Sequence, residues 1–420
     1  MLLITLLALA SGDTDGPFTY KGSTGSSGEI LMNPITGSSM FYWQFNAANG
    51  NIATDTKPLV IWTAGGPGYA SEIGLFAEGM APFTVNENGQ AQSNPTSWNI
   101  GCHILAIDFP YGSGFSYASQ PTDYQNTTVG AIPYLYSFLQ KLGTKYPTWF
   151  NREVYWFGQD YSGHFVPVIA NYILEENQVQ GNVYINLKGI ALGNPWSDGL
   201  YQTPYYDMWA YQLGLINSQQ QATLLNGESM IQESIQAGNY TDAFNIWLYN
   251  FGQFESYTGN ANPYDVRYFG VPVFSGLNTF LNQANIKKTF NVPPGAVWKQ
   301  YNSDVFYAFE YDFMQGVATH LMPTLLQNMK VMIYNGQDDL YCNILGLGNW
   351  VKNWDWELMP NFQASRRGTW NVKGDIAGYV QTYSNLTFVN VLDAGNWVGY
   401  SQPYVLRDLA FRFIFNEGWN

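Results

Sequence analysis

The sequence predicts an α/β fold: a doubly wound, mostly parallel sheet with antiparallel N-terminal strands and an inserted helical cap. Two observations carry that expectation. Apolar runs with strand character alternate with helical stretches, and each run ends in a polar loop, as in LVIWTAGGPG (Leu59–Gly68) and CHILAIDFPYGSGFSY (Cys102–Tyr117). That rhythm then breaks between about residues 200 and 309, where Gln-, Asn- and Tyr-rich helical pieces replace it.

The chain opens on LLITLLALA, an apolar run ending in the small-residue pattern Ala8-Leu9-Ala10, so residues 1–10 are expected to be a signal peptide, although a basic n-region is lacking. A run of nine residues is too short to span a bilayer, which takes about 20. No later run is long enough either, so no membrane span is expected. Residues 17–199 form the first part of the core. In it, FTYKGSTGSSGEI and MFYWQFNA show turn signals and alternation, the mark of antiparallel edge strands. The segment Pro133–Tyr146 places Leu135, Phe138, Leu139 and Leu142 on one helical face. VYWFG is the next strand, and LKGIALG another. After the cap at 200–309, residues 310–420 complete the core with KVMIYNGQDDLY, LTFVNVLDAGNW and the amphipathic helix QPYVLRDLAFRFIF.

Composition narrows the function classes. The net charge of −14 disfavours nucleic acid and anionic membrane surfaces as partners. Charged residues make up only 11%, against roughly 25% in average domains, while aromatics reach 17%. A surface poor in charge and rich in Tyr suits a protein or glycan partner, including a second copy of the chain; an AT-biased genome would leave the same bias. The sequons at Asn126, Asn239 and Asn385 fit glycosylation on a secretory route, hence a secreted or lumenal protein in the vacuole, lysosome or extracellular space. Cys102 and Cys342 are the sole cysteines and are expected to be buried free thiols rather than a bridge. No histidine–carboxylate cluster has metal-ligand spacing, and GSGFSY is no dinucleotide fingerprint, so neither metal nor cofactor is expected.

The stretch WFGQDYSGHFVPVIANYIL (Trp156–Leu174) has the form of a nucleophile elbow: an apolar strand, a tight small-residue turn, then a helix. At its tip stands Asp160 in place of a serine. Together with WTAGGPGYASEIGLFAEGMAP, SWNIGCHILAIDFPYGSGFSY, GIALGNPWSDG, YNGQDDLYCNILG and LTFVNVLDAGNWVGYSQP, in this order, it resembles the serine carboxypeptidases of the α/β-hydrolase fold over about Pro17 to Phe415.

The resemblance implies a Ser-Asp-His triad, in which a nucleophile is activated by a histidine that a carboxylate holds. The matching positions here are Asp160, Asp339 in GQDDLYCN and Asn396 in VLDAGNW, so only the orienting acid is retained. None of the three histidines is expected to step in: His164 matches a structural residue of the elbow helix, His103 lies mid-strand and His320 in a helical stretch. Ser162, two past the tip, fills a position where the turn needs a small residue. The same family grips the substrate's C-terminal carboxylate with an Asn and two Glu; the matching positions are Ala64, Gln159 and Glu78, two of them changed. Its oxyanion hole is backbone, matching the N–H groups of Gly66 and Tyr161.

These substitutions predict a non-catalytic member with a binding or structural role. The Asp160 carboxylate is expected at the oxyanion hole, with Asn396 donating toward Asp160 or Asp339. Two enzymatic alternatives stand beside it: a still-active serine-type carboxypeptidase-like hydrolase, and an α/β-hydrolase using Asp160 as nucleophile toward an alkyl halide or epoxide.

Overall fold

Eleven strands form one mixed sheet in the order β1-β2-β3-β7-β4-β8-β9-β10-β13-β12-β11, with a separate β5-β6 ribbon, in a computed structural model that describes residues 12–419. The proposed signal peptide, residues 1–10, lies outside the described residues. The strands are β1 (Gly16–Tyr20), β2 (Ser23–Leu31), β3 (Ser39–Phe45), β4 (Leu59–Thr63), β5 (Phe83–Val85), β6 (Ala91–Ser93) and β7 (His103–Ile107). They continue with β8 (Val154–Gln159), β9 (Leu187–Gly193), β10 (Lys330–Gly336), β11 (Arg367–Val372), β12 (Asp375–Tyr383) and β13 (Leu386–Val391).

The six central strands, β7 to β13 in sheet order, run parallel. Their residues explain why. LVIWT, HILAI and VYWFGQ are buried throughout, as continuous apolar strands covered on both faces must be. Successive residues feed opposite layers: Leu59 and Ile61 join the core under one face, Val60 and Trp62 the core under the other. This is the α/β-hydrolase arrangement, with β1–β3 antiparallel at one edge.

Two local features differ from the sequence expectation. Helix α1 spans Thr128–Lys145 and so begins ahead of Pro133, because Thr127 caps it by accepting from the Gly130 N–H. Leu135, Phe138, Leu139 and Leu142 are all on its buried face. The opposite sheet edge carries an unanticipated hairpin, β11–β12, turned at Lys373-Gly374, where both residues have positive φ (55° and 96°).

Between β9 and β10 the chain is helical, with long helices at Ser218–Gln236 and Tyr240–Thr258 packed on each other. The first starts with a capping box between Asn217 and Gln220. Both cysteines are free and buried. Among the described residues no helix is long and apolar enough to cross a membrane, and no group of His, Cys, Asp and Glu is arranged to hold a metal.

Parallel pairing brings the C-terminal ends of β4, β8, β9, β10 and β13 to one edge of the sheet: Thr63 faces Gly158, Gln159 faces Gly193, and Gly336 faces Val391. The loops leaving that edge carry Gly66, Asp160, Asn194, Asp339 and Asn396.

Candidate functional site

Asp160 is the turn between β8 and helix α2 (Ser162–Glu176). It holds φ = 55°, a left-handed conformation that Asp tolerates better than most non-glycine residues. The turn is tied down on both sides. The Asp160 N–H donates to the Gly193 carbonyl (3.0 Å), while its own carbonyl accepts from Gly163 (2.8 Å) and Trp196 (2.9 Å). Gly65 lies so close that a Cβ there would stand 2.3 Å from the Tyr161 nitrogen and 2.4 Å from the Gln159 oxygen. The Ser162 hydroxyl is buried and donates to the Ala64 carbonyl at 2.8 Å, pointing into the strand β4 loop.

The Asp160 carboxyl lines a cavity of about 240 Å³. Burial pushes its pKa up to about 7, and the main-chain N–H groups of Tyr161 and Gly66 act in the opposite direction by favouring the anion. No histidine reaches it. His103 contacts Asp55 (2.8 Å) and the Ala47 N–H (3.0 Å). The ring nitrogens of His164 face the carbonyls of Trp196 (2.7 Å) and Gln315 (2.9 Å). His320 lines a different cavity, beside Asp198 and Asp355.

Asp339 is buried and meets three donors: Asn194 Nδ2 (2.7 Å), Asn396 Nδ2 (3.0 Å) and the Cys342 N–H (3.3 Å). Burial raises its pKa well above the usual carboxylate range, the two amides oppose that shift, and the charge of Asp160 adds to it. Asn396 in turn accepts from Gln159 Nε2, on its main-chain oxygen (2.7 Å) and on Oδ1 (3.3 Å). The structure thus brings Gln159, Asn396 and Asp339 into one buried amide–carboxylate chain, with Asp160 next to it.

Ala64 is buried and offers no side-chain donor. Glu78 is buried too: one oxygen accepts from the Gly399 N–H (3.1 Å), the other has no partner, and burial pushes the carboxyl up to about 8. Gln159 turns its amide to Asn396 rather than to Glu78. Of the sequon asparagines, Asn126 and Asn239 are exposed, whereas Asn385 is half-buried and donates to the Leu326 carbonyl (2.9 Å).

Two features escaped the sequence reading. Asn194 follows β9 with φ = 44° and links Asp339 to the Gly336 N–H, which donates to its Oδ1 at 3.1 Å. The cavity walls are largely aromatic and come from distant segments, among them Tyr69, Trp247, Tyr264 and Tyr341.

Comparison with known proteins agrees with this fold. The family model described as serine carboxypeptidase matches residues 21–416. The chain is 33% identical to serine carboxypeptidase S10 family member 1 of Dictyostelium discoideum over 397 residues, covering 93% of this chain and 94% of that one. It is 32% identical to serine carboxypeptidase-like 49 of Arabidopsis thaliana, covering 96% of this chain and 79% of that one. In fold it is similar to Kex1(delta)p, a prohormone-processing carboxypeptidase from Saccharomyces cerevisiae, with a TM-score of 0.83 at 24% identity over 94% and 92% of the two chains. From its matched length and from these relatives, the chain belongs to the serine carboxypeptidase family.

Proposed function

We propose that this protein is a non-catalytic member of the family, a binding or structural protein of the secretory or extracellular space. The observation that supports it most is that, among the described residues, no histidine meets the elbow residue: the side chain at the tip is a carboxyl, and the position after β13 is an amide bonded to Asp339. Acyl transfer needs a nucleophile whose proton a base takes and later returns. Asn396 has no titratable nitrogen, and Asp160 is held beside the N–H groups that a substrate oxyanion would need. Loss of a triad costs about 10⁶ in turnover, and the residual catalysis of such variants comes from the oxyanion hole and substrate binding. Here Asp160 competes for the hole, and Ala64 and Gln159 weaken the grip on a substrate carboxylate.

The test is incubation of the purified protein with N-blocked dipeptides. No C-terminal residue is expected to be released, and release that scales with protein across purification steps overturns the reading. Exposure of Asp160 to the cavity gives one further enzymatic reading some support, that of an aspartate nucleophile. Water cannot be activated by Asn396, so such chemistry would stop at an ester on Asp160. Mass spectrometry after incubation with haloalkanes is expected to show no adduct there.

A further inference from the structure

We propose that the cavity above Asp160 binds a compact alkylammonium group, a quaternary or tertiary amine seated in an aromatic collar with the carboxylate at its floor. The inference rests on the non-catalytic reading of this site and adds the chemistry of its ligand.

The collar is closed. Tyr69 neighbours Tyr301 (centroids 4.7 Å apart), Tyr301 neighbours Phe306 (6.1 Å), and Phe306 neighbours Phe313 (5.5 Å). From Phe313 the circuit passes to Trp247 (4.9 Å), then Tyr341 (5.4 Å) and Tyr264 (4.5 Å), and returns to Tyr69 (6.2 Å). All of these side chains line the same space of about 240 Å³, together with Asp160. An aromatic face carries negative quadrupole density, so a cavity walled by these aromatic rings can present such faces to a weakly hydrated cation.

An aromatic pocket also admits neutral apolar groups, and three observations favour the cation. The Asp160 carboxyl faces the cavity with no side chain donating to it among the described residues. Among the described residues the lining contains no lysine or arginine that would neutralise it. The net charge of −14 draws cations toward the molecule. The phenols of Tyr69, Tyr264, Tyr301 and Tyr341 are all shifted upward, by burial first and by the Asp160 charge among other causes, so they stay neutral around it.

The experiment is titration calorimetry at pH 8 with choline, with N-acetyl-trimethyllysine amide, and with the neutral isostere of choline in which tert-butyl replaces trimethylammonium. Choline or the lysine derivative is expected to bind at least tenfold more tightly than the isostere. Preference between those two tells a free small molecule from a modified protein side chain. Asp160→Asn, nearly isosteric, is expected to weaken the cation at least tenfold and leave the isostere unchanged. Trp247→Leu is expected to weaken both, and thermal melts report whether each variant is folded. Equal binding of choline and isostere, no binding of either cation, or full affinity in a folded D160N overturns the proposal. None of these results bears on peptide release, so failure here is distinguishable from failure of the non-catalytic reading.

Discussion

The Asn396 amide donates from Nδ2 to Asp339 Oδ2 at 3.0 Å, joining the loop after β13 to the loop after β10. Asp339 is therefore engaged by a side chain that holds it without moving protons. This gives a directional prediction. Triad members act as a unit, and losing either the nucleophile or the base costs about as much as losing all three. Asp160→Ser alone and Asn396→His alone are thus expected to be as inactive as the parent protein on blocked amino-acid esters. The double variant D160S/N396H is expected to exceed either single variant by about 10²-fold or more. Equal activity in one single variant would show that the two positions are not coupled in this way.

Burial of unpaired acids makes stability depend on pH in an unusual direction. Asp160 is pushed up to about 7, Glu78 to about 8 and Glu228 to about 9. An unfolded carboxyl titrates near 4, so between about pH 4 and these raised values the folded state binds more protons than the unfolded one. Stability then falls as pH rises, by up to about 1.4 kcal/mol per pH unit for each group. The melting temperature is expected to be higher at pH 6.5 than at pH 8.5. Glu78→Gln, which cannot ionise, is expected to flatten that slope, and an unchanged slope would remove Glu78 as a contributor.

How much was legible in the sequence follows from which interactions are local. Buried parallel strands are continuous apolar runs, so LVIWT, HILAI and VYWFGQ could be recognised one by one, and the chain order then brought their loops to one edge. The elbow was legible because its strand, its small-residue turn at Ser162-Gly163 and its helix follow one another within one short segment. The β11–β12 hairpin was missed although Lys373-Gly374 is a usable turn signal, because its strands alternate weakly. The collar was not legible at all. Its rings come from Tyr69, Trp247, Tyr264, Tyr301 and Tyr341, and nothing local distinguishes them from the many other tyrosines and tryptophans of this chain.

The elbow's geometry depends on the absence of one methyl group. A Cβ on Gly65 would meet the Tyr161 nitrogen at 2.3 Å, the Gln159 oxygen at 2.4 Å and the Asp160 Cβ at 2.8 Å, two of them main-chain atoms that cannot rotate away. Gly65→Ala is expected to destabilise the fold by about 2–4 kcal/mol, in the range of overpacked cores. Denaturant titration checks this, and a loss under about 0.5 kcal/mol would mean the loop moves freely relative to the elbow.

His164 supplies the counterweight at lower pH. Its two ring nitrogens face the carbonyls of Trp196 and Gln315, and burial pulls its pKa below the usual imidazole value even though both carbonyls favour the charged form. His103 is shifted the same way, by burial first, against the pull of Asp55. A histidine with a depressed folded pKa is more easily protonated in the unfolded chain, so its contribution to stability is lost as pH falls below about 6.5. The acids and the histidines therefore oppose each other on the acid side, and the histidines offset part of the stability that the acids add as pH falls from 6.5 to 5. Replacing His164 by Asn removes its titration and part of its bonding. The variant is expected to lose about 1–3 kcal/mol at pH 7, and this deficit is expected to shrink between pH 6.5 and pH 5. Parallel pH profiles of the two proteins over that range would show that His164 does not oppose the acids.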